Sequence, residues 1–152
     1  MGTTAAWALL NAMVDKLTNE LPDVEVCDGP LMSEKTGVFV VVGAEQMTGG
    51  GNAVDGTQTP GPFASSRPRD ERGEVISVIA AVSGDQDYRT ARAIVADVNA
   101  RIETIARTDP TWGSVTGLLW TGYGSSIRID QQPSGAGAVV TMLFRVSYRA
   151  RI

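Results

Sequence analysis

Hydrophobic residues recur at three- and four-residue spacings in two segments of the chain, and this pattern predicts two amphipathic α-helices. The first segment spans residues 7–21 and the second spans residues 88–106, with charged side chains between the apolar positions of both. The side chains expected to face the core are Trp7, Leu10, Met13, Val14, Leu17 and Leu21 in the first helix and Ala91, Ile94, Val95, Val98, Ile102 and Ile105 in the second.

The rest of the hydrophobic pattern predicts strands. Two runs, residues 38–42 and 75–82, are apolar at nearly every position, which is typical of strands covered on both faces. Residues 139–152 instead alternate strictly, so that one face is apolar and the other becomes steadily cationic. Shorter strands are expected at residues 24–26, 117–123 and 126–132.

The order of these elements predicts an α+β fold, with a mainly antiparallel twisted sheet and two amphipathic helices on one face. A chain of 152 residues fits a single domain, residues 1–152. Two helices cover only one face of the sheet. Each aliphatic side chain left in water loses about 1.5–3 kcal/mol of the stabilisation that its burial would provide. We therefore expect further copies of the chain to cover the other face; the alternative is a sheet that curls over itself. The positions expected to be covered in this way are Val40, Val42, Ile76 and Val78.

No hydrophobic period survives between residues 44 and 73, where the chain is rich in glycine and proline. An irregular connection longer than about 12–15 residues is uncommon in a compact domain and often carries function. We expect an extended arm that docks a partner protein; the alternative is a surface insertion without a role. The arm residues expected to contact the partner are Met47, Asn52, Asp55, Phe63, Arg67, Arg69 and Arg72.

Composition argues against several classes of chemistry. The chain has no histidine and one cysteine, Cys27, which removes imidazole catalysis, most zinc and copper sites and any internal disulfide. A formal charge of −4 argues against a surface built to grip nucleic acid. The charges are also unevenly placed, with two lysines against eight acids in residues 1–63. Residues 126–152 have only Asp130 against four arginines, Arg128, Arg145, Arg149 and Arg151.

No motif in the sequence points to catalysis, a cofactor or a metal. Asp85 and Asp87 have the spacing of a metal-binding loop, but the glycine and final glutamate of a calcium loop do not follow. Capping of the second helix explains the two carboxylates better. We therefore expect a protein that is not an enzyme and has no cofactor. The alternative is a small cytoplasmic enzyme or ligand-binding domain that uses these aspartates, with the arm as a lid.

Several segments taken together resemble the tail terminator (tail completion) proteins of long-tailed bacteriophages. They are the first helix, the turn Asp28-Gly29-Pro30, the strand at residues 37–43, the segment 83–85 leading into the second helix, and the closing strand at residues 144–152. The resemblance covers most of the chain apart from the arm, which is longer than the family pattern.

The resemblance implies a virion structural protein of the head–tail interface, assembled in the host cytoplasm. It implies a hexameric ring that caps the tail tube, ends tail polymerisation and offers the surface on which the filled head docks. Double-stranded DNA would pass through the lumen. A stopper or adaptor protein of the same head–tail junction is the nearest alternative.

The partners implied are further copies of the chain, the major tail tube protein and a head-proximal stopper or connector protein, with no membrane. In such a ring, the arginines of the C-terminal segment are expected to pair with carboxylates of a neighbouring subunit or to face the DNA. These arginines are Arg128, Arg145, Arg149 and Arg151.

Overall fold

The computed structural model describes residues 4–33, 35–49, 51–59, 69–124 and 127–152. Two helices and seven strands make up this part of the chain. In chain order they are α1 (Ala6–Glu20), β1 (Glu25–Asp28), β2 (Gly37–Val42), β3 (Val54–Thr59), β4 (Asp70–Ser83), α2 (Tyr88–Thr108), β5 (Leu118–Tyr123), β6 (Arg128–Ser134) and β7 (Gly137–Arg151).

The two longest strands, β4 and β7, form the centre of the sheet. They pair antiparallel along their whole length, from Asp70 opposite Arg151 to Ser83 opposite Ala138. β2 and β3 lie one after the other along the other side of β4, and β6 and β5 do the same along β7. β1 extends the sheet beyond β2 in parallel. The sheet is open, mixed and mostly antiparallel, which confirms the α+β fold class, and β1, β3, β5 and β6 are its edges.

Both helices pack against one face of the sheet, which we call the inner face. The alternation predicted for the closing strand is confirmed, because its apolar side chains join the helices in one buried cluster. The prediction for α1 is wrong at Trp7, which is 69% exposed. Ala6 and Leu9 face the sheet, and a rotation of about 100° per residue turns Trp7 away from it. The helix residues in the inner cluster include Leu9, Met13 and Leu17 of α1 and Ala91, Val95, Val98, Ile102 and Ala106 of α2.

The apolar part of the opposite, outer face of the sheet is covered by the chain itself. After β2 the backbone turns at Gly43, and residues 44–48 return across the outer face as a roof, which we call the roof segment. The amide of Ala44 donates to the carbonyl of Ile76 at 3.0 Å, and the carbonyl of Met47 accepts from the amide of Leu31 at 2.8 Å. Below the roof segment lie Phe39, Val41, Val78, Ala80, Val82 and Val139.

This roof removes the reason for expecting a second copy on the sheet. Val40 and Val42 belong to the inner cluster under the helices, and Val78 belongs to the outer cluster under the roof segment. Together with Ile76, these residues are at most 3% exposed within one chain. The apolar pattern predicts strands covered on both faces, which is correct, but residues 44–48, which provide the cover through Ala44 and Met47, have no hydrophobic period.

The expected arm at residues 44–73 is also corrected. Residues 44–48 form the roof segment, residues 54–59 form β3, and β4 begins at Asp70 rather than at residue 75. Backbone hydrogen bonds hold β3 to β4 without an apolar pattern, and Gly56 lies opposite Gly73. A side chain at Gly56 would come within 2.7 Å of the Arg72 carbonyl, so glycine permits this close approach. Residues 60–68 lie outside the described residues.

Side-chain hydrogen bonds fix both ends of α2. Of the two aspartates expected to cap the first turn, Asp87 does so and accepts from the amides of Arg89 at 3.0 Å and Thr90 at 3.3 Å, whereas Asp85 is not the capping residue. At the other end Asp109 accepts from the Thr111 hydroxyl at 2.8 Å and from Lys16 of α1 at 3.0 Å. These two bonds, with the hydroxyl contributing most, lower the pKa of Asp109 to about 2.

Candidate interaction surface

Past the roof segment, the outer face of β4 and β7 has a ladder of charged side chains. Arg149 Nε lies 3.0 Å from Asp70 Oδ1, and Arg149 Nη2 lies 3.4 Å from Asp70 Oδ2. The guanidinium therefore donates two hydrogen bonds to the carboxylate. The hydrogen bond from Arg149 lowers the pKa of Asp70. One step along the ladder, Arg145 Nη1 lies 3.6 Å from Glu74 Oε2. These pairs join the two central strands across the sheet.

Of the four arginines expected at a subunit interface or DNA lumen, three pair within the chain. Arg145 and Arg149 bind acids of β4, and Arg128 lies 3.6 Å from Asp130 on its own strand. Arg151 lies opposite Asp70 in the β4–β7 register and is exposed. Pairing inside the chain leaves less positive charge for a neighbour or for DNA than the sequence indicates. Their role toward either partner stays a prediction.

A shallow recess of about 400 Å³ lies beside this ladder, across β3, β4, β7 and β5. Asp55, Glu74, Ser147 and Gly122 stand in register across the four strands, and the last two have little or no side chain. Trp120 stands at the far side of the recess, opposite Arg149, and is 46% exposed. An exposed tryptophan beside arginines is a combination enriched at the energetic centres of protein interfaces.

The predicted arm residues separate into three groups in the structure. Met47 is buried, because it belongs to the roof segment and packs against the outer cluster. Phe63 and Arg67 lie outside the described residues. The remaining four, Asn52, Asp55, Arg69 and Arg72, are exposed on or beside β3 and the start of β4.

The edge strands β3 and β6 are exposed on both faces. In β3 only Val54 is partly covered, and in β6 only Ser134 is. The two strands lie on opposite sides of the central β4–β7 pair. Two nearly bare strands at different edges give the chain two different surfaces for backbone pairing.

The residue that sequence reasoning missed is Glu71, which pairs with Gln58 near the end of β3 that leads to β4. It is 2% exposed, although it lies in a charged stretch of the expected arm. Its carboxylate accepts from Gln58 at 2.5 Å, from the Thr4 and Tyr148 hydroxyls at 2.8 Å each, and from the Ala5 amide at 3.1 Å. A sheet carboxylate therefore caps the start of α1, which has no capping side chain at its N-cap residue, Ala5.

Opposing effects act on the pKa of Glu71. Burial raises the pKa, but the hydrogen bonds from Gln58, Thr4, Tyr148 and the Ala5 amide together lower it by more than burial raises it. The net shift of the pKa is downward. Burial, together with the bond to Glu71, raises the pKa of Tyr148. The carboxylate is therefore held in its charged form by uncharged donors. A sequence signal for this role was available: Glu71, Gly73, Val75 and Ile79 share one face if the strand pattern is extended backwards.

Two concave sites lie away from the charged ladder. A polar cleft of about 360 Å³ separates the roof segment from Arg128, Asp130 and Thr141. A groove of about 540 Å³ lies between α2, residues 23–24 and Val38 of β2, and half of its lining residues are aliphatic. At its rim Arg101 binds Asp23 through two bonds of 2.6 and 2.9 Å. Neither lining places a nucleophile next to a base, so neither favours the enzyme alternative.

The described part of the chain has neither a cluster of metal-ligating side chains nor a helix suited to cross a membrane. It has no group of three or more histidine, cysteine, aspartate or glutamate side chains placed to hold a metal ion. None of its helices combines the length and the apolar character that a membrane crossing requires.

No known protein-family model matches the chain, and no curated protein matches its sequence.

Proposed function

We propose that the protein is a structural subunit of a bacteriophage virion, a tail terminator whose copies form a ring on the end of the tail tube. The observation that carries this proposal is the pair of bare edge strands, β3 and β6, on opposite sides of the sheet. The resemblance of the segment order to the tail terminator family supplies the specific role. The proposed role involves no catalysis.

Two different exposed edges favour a ring over an isolated subunit. A contact between the β6 side of one copy and the β1–β3 side of the next is heterologous, and such contacts close into a ring when the rotation between copies permits. Because residues 44–48 cover the apolar part of the outer face, exposed apolar area is no longer a reason to expect further copies on the sheet. The proposal therefore rests on the hydrogen-bonding backbone groups of the edge strands and on the charged ladder, rather than on an exposed apolar surface.

The charge distribution suits a ring through which DNA slides. A net charge of −4 gives a surface that binds DNA weakly, whereas many phosphate contacts would hold it with a steep salt dependence. Arg145 and Arg149 are tied to Glu74 and Asp70, so they present paired charges to a neighbour. Paired charges at a contact fix register more than they add affinity.

Electron microscopy of the purified protein, alone and mixed with tail tubes, tests the proposal. We expect rings with a central hole and rings seated on tube ends. Binding to the head-side connector but not to tubes would instead indicate the stopper or adaptor role. Protein that stays monomeric at high concentration and leaves tube ends bare would overturn the proposal.

Charge variants sharpen this experiment. Reversal of Arg145, Arg149 and Arg151 to glutamate should abolish rings if the ladder contacts a neighbour. The matched control exchanges one pair, Arg149→Asp with Asp70→Arg, which keeps an ion pair between β4 and β7. Rings that survive the triple reversal would remove these arginines from the interface.

A further inference from the structure

We propose that β3 is a strand-pairing site for a second copy of this chain, with the two β3 strands antiparallel and Gly56 opposite Gly56 of the second copy. This contact is isologous, so it differs from the head-to-tail contact of the proposed ring; both would use the β3 side, and a β3 strand paired with its own copy is not free for the ring contact. It rests on three features of β3: backbone groups that point outward, the lack of protection at this edge, and a self-complementary row of side chains.

The backbone of β3 has hydrogen-bonding groups directed away from β4. The Ile76 amide donates to the Ala53 carbonyl at 2.9 Å, so this carbonyl faces β4, and in the antiparallel register the backbone groups of Asp55 and Thr57 face β4 as well. The amide and carbonyl groups of Val54 and Gly56 therefore point to the open side. β4 is the only strand that pairs with β3 among the described residues.

The other edges of the sheet have the usual devices against strand pairing, and β3 lacks most of them. β1 has only four residues and ends in charged side chains at Glu25 and Asp28. β5 contains a bulge at residues 118–120. In β6, Pro133 lies next to the last residue; it removes one amide but leaves the rest of that strand able to pair. β3 has six residues with no proline, no lysine or arginine and no bulge. An edge without such protection can pair with the same edge of a second copy.

The side chains of β3 fit this pairing. Asp55 and Thr57 lie on the outer face on either side of Gly56. With the two Gly56 residues opposite each other, each Asp55 lies directly opposite Thr57 of the second copy, and no like charges meet. Gly56 has no side chain at the two-fold axis, and its amide and carbonyl can each bond to those of the second Gly56.

A charge exchange across the axis tests the register. Thr57→Asp faces Asp55 of the second copy at two symmetric places and should weaken dimerisation about tenfold, since directly opposed like charges are destabilising. Within one chain the new carboxylate lies opposite Arg72, so folding is spared. The double variant Asp55→Lys with Thr57→Asp sets opposite charges face to face and should restore dimerisation.

Sedimentation equilibrium at micromolar to high micromolar concentration gives the readout, with circular dichroism to verify folding. Asn11→Asp, an equal charge change on the exposed side of α1, is the control and should dimerise like the unaltered chain. Loss with Thr57→Asp and recovery with the double variant support the proposal. A strictly monomeric chain, or association that Thr57→Asp leaves unchanged, overturns it. Rings that persist while pairing is lost separate this contact from the ring contact.

Discussion

Replacing Glu71 by glutamine tests whether a single buried carboxylate fastens α1, β3 and β7 together. The substitution keeps the size of the side chain but removes its charge and turns one oxygen into a donor. If the new amide nitrogen replaces Oε2, the Ala5 amide loses its acceptor; if it replaces Oε1, it faces the Gln58 Nε2 donor, and the Gln58 amide must turn over to keep a bond. At least one of the four bonds is therefore lost or weakened.

The expected loss follows from these four bonds. Hydrogen bonds to a charged group contribute about 1.5–3 kcal/mol each and neutral ones about 0.5–1.5 kcal/mol, while the amide costs less to bury than the carboxylate. The downward shift in the pKa of Glu71 means that the bonds outweigh the cost of burial. We expect Glu71→Gln to lower the free energy of unfolding by about 1–3 kcal/mol. For a chain of this size this is a fall in Tm of about 3–10 °C.

The same residue should give a pH signature. Because the pKa of Glu71 is lower in the folded chain than its unfolded value near 4.3, its contribution is present above about pH 5 and is lost as the pH falls through the folded pKa. Urea denaturation from pH 7 to pH 3 should show a smaller acid loss in Glu71→Gln than in the unaltered chain. Glu74→Gln, which loses only a partly exposed pair at 3.6 Å, is the control. Equal stability and equal pH slopes for Glu71→Gln and the unaltered chain would refute the reasoning.

Helix capping, the covered outer face and the end of α2 give three further expected results. Asp87→Ala should cost about 1 kcal/mol in urea denaturation, because two amides lose their acceptor, and Asp85→Ala, which caps nothing in the structure, should cost little. Phe39→Ala should cost about 3–5 kcal/mol at every protein concentration, since one chain buries the ring, while the exposed Trp7→Ala should cost far less. A loss that changed with protein concentration would mean that a second copy covers Phe39. Asp109 has a pKa of about 2 in the folded chain, so it stabilises the fold above about pH 4 and this contribution is lost toward pH 2. Asp109→Asn should remove that part of the acid dependence in thermal melts, and an unchanged pH profile would contradict the assignment.

The hydrophobic period predicted the elements that bury one continuous face. The stripe of α2 is confirmed at Ala91, Val95, Val98 and Ile102, and β7 alternates as its pattern indicates. These elements bury one continuous face, so selection for packing leaves a regular hydrophobic period. The predicted stripe of α1 begins at Trp7, one position after the buried residue Ala6. Neighbouring positions of this helix are both apolar, so the sequence pattern alone does not distinguish them.

Periodicity could not predict the elements held by backbone or polar bonds. β3 is polar and exposed, and the amides and carbonyls of β4 hold it together with the bond from the Gln58 side chain to Glu71. The roof segment buries only Ala44 and Met47 on the outer face. Glu71 lies in a run of charged residues, a pattern that predicts exposure to solvent. Its burial depends on hydrogen-bond donors that are distant in sequence, among them Thr4 and Tyr148. Contacts between residues this far apart leave no local signal.

The central claim, that copies of this chain cap a tail tube, is tested most directly by the growth of tubes. Tail tube protein is allowed to polymerise with and without the purified chain, and tube lengths and tube ends are measured by electron microscopy. The account predicts shorter tubes with a ring at one end and no further growth from that end. Tubes that keep the same length distribution and bare ends at excess chain would contradict it.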